Sequence, residues 1–95
     1  CGGAQELFLI ATMAESFGVA VSPHNPSGPV STAASVSMCA AMPNFEILEF
    51  QWGEADWRGE LLNPAERISD GMLSVSDAPG WGIALNPTEL ERHLI

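Results

Sequence analysis

A chain of 95 residues with 46% hydrophobic and only 16% charged side chains is too apolar for disorder and fits one domain at most. Its formal charge of −9, with no lysine and only Arg58, Arg67 and Arg92 as strong cations, repels phosphate backbones and anionic lipid surfaces. Nucleic-acid and membrane partners are therefore not expected, and no stretch approaches the ~20 apolar residues of a bilayer span.

Taken in order, Cys1-Gly2-Gly3 reads as a turn, and this start looks cut from something longer. No basic region precedes the first apolar run, so it does not read as a signal peptide. From Gln5 to Phe17, Leu7, Ile10, Ala11, Ala14 and Phe17 recur at helical spacing and predict one buried face. Gly18 closes that helix in the C′ position. Val19–Ser22 is then a short strand, followed by the rigid run Pro23-His24-Asn25-Pro26-Ser27-Gly28-Pro29. Pro29 suits the first turn of a second helix over 29–42, rich in small residues that permit close approach to a sheet. Pro43-Asn44 ends it, and Phe45–Phe50 is the next strand. Helix, strand, helix, strand with short loops predicts parallel strands joined by a right-handed crossover. Two parallel strands make no satisfactory sheet by themselves, so neighbours are expected elsewhere.

The character changes from Trp52, where Trp52 and Trp57 stand among acids as loop anchors. Asp70-Gly71, between Ile68 and Met72–Val75, is a hairpin turn signal. Residues 77–82 form a second turn cluster. Asn86-Pro87-Thr88-Glu89 supplies an N-cap, a proline at the first helical position and an acid at N3, which predicts a last helix to about Leu94. Cys1 and Cys39 lack metal-finger or redox spacing and read as reduced thiols of a cytoplasmic protein, Cys39 as an inert core residue. His93 reads as a solvated helix residue.

Two residues carry candidate chemistry. Alternation along the first strand places Ala20, Ser22 and His24 on one side, and along the second groups Ile47 with Glu49. Adjacent strands lie ~4.8 Å apart, so a His and a Glu at two C-terminal strand ends can face one pocket. A carboxylate within an apolar strand is costly to bury without a partner. The competing readings are a plain turn histidine for His24 and an exposed edge residue for Glu49.

Gly2-Gly3, then Pro23-His24-Asn25-Pro26-x-Gly28-Pro29, then Ile47-Leu48-Glu49, then Asp77-x-Pro79-Gly80-x-Gly82 occur in the order and spacing of a known family. The chain resembles the C-terminal part of the mandelate racemase/muconate lactonizing branch of the enolase superfamily. The His-Asn-Pro-x-Gly-Pro form is most similar to galactonate dehydratase and related acid-sugar dehydratases. The resemblance implies that residues 1–51 are the last part of a modified (β/α)8 barrel, from the end of strand six to strand eight. Residues 52–95 would be an extension toward a capping domain. It implies Mg²⁺ held by carboxylates on earlier strands, outside this chain, with no metal ligand within it. His24 matches the base that removes the proton α to a substrate carboxylate, and Glu49 matches an acid hydrogen-bonded to that carboxylate. The Asp that family members pair with the His would lie before Cys1. The implied reaction is loss of water from a sugar acid to a 2-keto-3-deoxy acid, by an enzyme that is a homo-oligomer at full length. A racemase or epimerase of the same superfamily is the alternative enzyme. From another class, the chain could be a non-catalytic remnant acting as a structural or association module.

Overall fold

The structure is a computed structural model that describes residues 1–94. The first helix, α1, spans Ala4–Ser16. It ends as its glycine demands: Gly18 lies at φ 66°, its N–H donates to Glu15 O at 2.9 Å, and the Val19 N–H donates to Ala14 O at 3.0 Å. That double bond pattern satisfies the last carbonyls and turns the chain sharply into the next segment. The second helix, α2, spans Pro29–Ala41, with Pro29 buried at its first position. The two pack through small residues, and Ala11 of α1, Cys39 of α2 and Met42 form the core beneath Leu7, Val21 and Leu48.

The buried face of α1 is narrower than its periodicity predicts. Ala11 is buried, whereas Ile10 is 50% and Phe17 82% exposed. Phe8, Leu9 and Met13 of the same helix are exposed as well. A helix of this composition has more apolar surface than one neighbouring helix covers.

The two predicted strands appear as extended segments joined by a single parallel bridge, Val21 with Phe45. Val21 N donates to Asn44 O at 2.8 Å, and Glu46 N donates to Val21 O at 3.1 Å. The next donor in the ladder would be residue 23, a proline with no N–H. Pro23 O still accepts, but from Glu49 N at 3.3 Å, where an unbroken register would use Leu48. The ladder therefore slips by one residue at Pro23, and regular pairing stops. The Asn44 side chain fastens the base of this arrangement by donating to Ala11 O at 2.9 Å and Val19 O at 3.0 Å.

Beyond Trp52 the chain forms a 3-10 helix (Arg58–Leu61) and four short strands, β1 (Leu62–Asn63), β2 (Ile68–Ser69), β3 (Met72–Leu73) and β4 (Ala84–Leu85). The β2–β3 hairpin is the predicted one, with Asp70 at φ 51° and Gly71 at φ 73° giving the two left-handed residues of the turn. The antiparallel pair β1–β4 has no counterpart in the sequence reading, because two-residue strands carry no periodicity. Gly82, within the turn cluster, is irreplaceable: a Cβ there would sit 2.2 Å from the Ser76 Cβ, at φ 69°. The terminal helix α3 (Pro87–Arg92) starts as expected, with the Asn86 side chain accepting from Thr88 N at 3.2 Å and Glu89 N at 3.5 Å. It stops at Arg92, short of Leu94, as the His93 N–H turns back to Leu90 O at 3.2 Å. Asn86 also donates from Nδ2 to Glu60 O at 3.1 Å, which seats α3 on the 3-10 helix. His93 is not a solvated residue: its ring stacks on Trp57 with centroids 3.8 Å apart and 13° between planes. No helix among the described residues is long and apolar enough to cross a membrane.

Candidate active site

His24 leaves the first extended segment immediately after Pro23, whose carbonyl holds the backbone of Glu49. This bond sets the two side chains next to each other at one end of the parallel pair. His24 Nε2 stands 3.6 Å from Glu49 Oε2, too long for a hydrogen bond and within ion-pair reach. Both are open to solvent, with side chains 79% and 52% exposed. An ion pair so exposed adds little to stability. The structure thus brings together the two residues that sequence reasoning singled out. A cavity of about 470 Å³ opens between the start of α1 and α2, with Pro23, His24, Pro26 and Ser27 on its wall. Glu49 does not line it.

Sequence reasoning missed what holds the His24 turn. Asn25, next to His24, is 2% exposed, and its Nδ2 donates to Thr32 Oγ1 at 3.0 Å. Its Oδ1 accepts from Ser35 Oγ at 3.4 Å. Thr32 Oγ1 also accepts from Arg58 Nη2 at 2.8 Å. Arg58 further donates from Nη1 to Ser27 O at 2.6 Å and pairs with the half-buried Glu66, Nε to Oε2 at 2.8 Å. The Phe50 ring lies 4.9 Å from the guanidinium carbon. The available signal was Arg58 itself: a rare cation amid Trp57, Leu61 and Leu62 must be paired if buried.

Elsewhere the chemistry is quiet. Burial pushes the Cys39 thiol above its ordinary value, only partly offset by a backbone hydrogen bond, which fits the inert core thiol expected. Among the described residues no group of three His, Cys, Asp or Glu is placed to hold a metal ion. The residues present therefore do not make an Mg²⁺ site of their own.

A parallel pair joined by a helical crossover is a β-α-β unit, and here its C-terminal strand ends carry a His and a Glu. The chain belongs to the enolase C-terminal domain-like family, whose profile matches residues 1–89. It is similar to the D-xylonate dehydratase of Haloferax volcanii, at 32% identity over 99% of this chain and 23% of that protein. It is also similar to muconate cycloisomerase 1 of Rhodococcus opacus, at 32% identity over 90% of this chain and 23% of that protein. Among solved structures, the mandelate racemase/muconate lactonizing enzyme from Jannaschia sp. CCS1 superposes with a TM-score of 0.87 at 35% identity, over 100% of this chain and 24% of that one. A structure from Burkholderia xenovorans strain LB400 bound to magnesium and fumarate gives 0.83 at 31% identity, over 96% and 23%. The chain thus spans about a quarter of the length of the relatives it matches. Its fold is the C-terminal portion of their barrel, and its relatives are enzymes of the enolase superfamily.

Proposed function

We propose that these residues are the C-terminal part of an Mg²⁺-dependent acid-sugar dehydratase. It takes the proton α to a substrate carboxylate and eliminates water to give a 2-keto-3-deoxy acid. The observation that carries this reading is the 3.6 Å approach of His24 Nε2 and Glu49 Oε2 at one strand-end rim. The carbon that loses its proton is two bonds from the carboxylate oxygens that receive the charge. A base for the one and a hydrogen-bond donor for the other must therefore converge.

In this reading His24 accepts the α-proton at Nε2 as general base. Glu49, protonated, donates to the carboxylate oxygen on which charge builds, and a donor aimed at developing charge lowers the barrier more than it tightens ground-state binding. Mg²⁺ belongs to the proposal as an ion held by carboxylates outside these residues, and no step here passes through it. Elimination needs a second acid at the leaving β-hydroxyl, also outside this chain. Dehydratases among the relatives favour this outcome over cycloisomerisation. A racemase or epimerase on the same scaffold would share the His24 step and differ in carrying a second base. The intact enzyme is proposed to be cytoplasmic and homo-oligomeric.

The test is His24→Asn in the parent enzyme, with α-hydrogen exchange of sugar acids followed in D₂O by NMR. Asparagine can hydrogen-bond but cannot serve as a base, so exchange and dehydration should both be nearly abolished while the fold is kept. Exchange near the wild-type rate would place the base elsewhere. Exchange without loss of water in the unmodified enzyme would favour the racemase reading.

A further inference from the structure

Behind the His24 turn lies a buried polar cluster for which the proposed reaction has no use. The three buried polar or charged residues among those described are Asn25, Thr32 and Arg58, and all three belong to it. The Thr32 hydroxyl is at its junction, using both lone pairs and its proton: it accepts from Asn25 and Arg58 and donates to Gly28 O at 3.4 Å. Replacing a buried ionic group by apolar residues of like volume is often neutral or stabilising, so stability alone does not explain this cluster. What it does supply is direction. Asn25 is held by α2 on one side of His24, and Pro23 is held by Glu49 on the other. The Ser27 carbonyl is held by a guanidinium that comes from 31 residues further along the chain. Residues 23–27 are thereby fixed at both ends, while the His24 imidazole stays open to solvent.

We propose that Arg58 is a positioning residue for His24, acting through Thr32 and Asn25 and through the Ser27 carbonyl. The inference rests on the reading of His24 as the base and deepens it. Arg58 touches neither His24 nor the reacting atoms; it keeps the turn from rotating the imidazole off the α-proton. Displacements of about 1 Å at such a group cost on the order of 100-fold in rate.

The experiment uses the parent enzyme and pairs Thr32→Val with Thr32→Ser, since valine keeps the volume and loses the hydroxyl, whereas serine restores it. Arg58→Met is the direct variant, and the threonine pair decides the matter should that one fail to fold. The readouts are kcat for α-hydrogen exchange per folded molecule, KM, and the primary deuterium isotope effect at the α-position. In Thr32→Val and Arg58→Met, kcat should fall on the order of 10- to 100-fold, with KM within about threefold, while Thr32→Ser returns most of the loss. The isotope effect should rise, because proton transfer becomes the slow step. Added to His24→Asn, Thr32→Val should cost nothing further, as expected of residues acting through one another. A Thr32→Val enzyme with wild-type kcat and isotope effect overturns the inference, as does full additivity with His24→Asn. Failure of the underlying reading looks different: His24→Asn itself would then retain exchange, whatever Thr32→Val does.

Discussion

Arg58→Met tests whether the buried pair holds the extension of the chain against the His24 turn. The substitution removes the bonds to Ser27 O (2.6 Å), Thr32 Oγ1 (2.8 Å) and Glu66 Oε2 (2.8 Å). It also leaves the Glu66 carboxylate, whose side chain is 8% exposed, without its counter-charge. Breaking a buried pair by removing one partner costs about 3–5 kcal/mol, most of it the stranded charge. At about 1.4 kcal/mol per factor of ten, local protection should fall roughly 100-fold or more. Hydrogen exchange in the parent enzyme reads this at the Thr32 amide, bonded to Gly28 O at 3.1 Å, and at the Glu66 amide, bonded to Gly59 O at 3.0 Å. Amides in the middle of α1 are the internal control. Adding Glu66→Leu removes the stranded charge and should recover most of the loss, since two apolar groups need no partners. Protection unchanged within about threefold in the single variant, or no recovery in the double, would refute the assignment of this pair as the fastening.

Glu49→Gln in the parent enzyme should lower kcat on the order of 100-fold with a smaller change in KM, by steady-state kinetics; an unchanged kcat would return Glu49 to a surface role. Because burial raises the Cys39 thiol above its ordinary value, iodoacetamide mapped by mass spectrometry should label exposed Cys1 well before Cys39 at mildly alkaline pH. The same shift has a sign for stability: the folded state holds the Cys39 proton longer than the unfolded one, so its contribution falls as pH rises through the ordinary thiol value. The 95 residues expressed alone should associate or aggregate, since Phe8, Leu9 and Met13 of α1 and Phe17 at its C-cap all face solvent. A concentration-independent monomer with a cooperative melt would contradict that.

Helix existence, the Asp70-Gly71 hairpin and the His24–Glu49 approach were legible because each follows from a local rule: helical spacing, turn chemistry or strand alternation. The ladder slip at Pro23 was legible in principle, as a missing donor, yet its consequence depended on which residue of the partner segment moved in. The outward apolar face of α1 follows the same division. Its periodicity fixed which residues share a side but not how much of that side one small-residue partner could cover. The Arg58 cluster was hidden for a different reason. Its members lie at 25, 32, 58 and 66, and a polar group's burial is decided by partners far along the chain. The stacking of His93 on Trp57 is equally non-local, and only the folded extension brings those rings face to face.

That stack gives the molecule an optical reporter. The emission of an indole depends on what lies against its face, and here that is the His93 imidazole. One of the chain's three tryptophans is therefore wired to the ring that follows α3. The Glu89 carboxylate stands 3.8 Å from Nε2 of the same ring. Once Asn86 lets go of Glu60, the rings part and the Trp57 emission changes, so the light reports the docking of the chain's last helix rather than the state of its core.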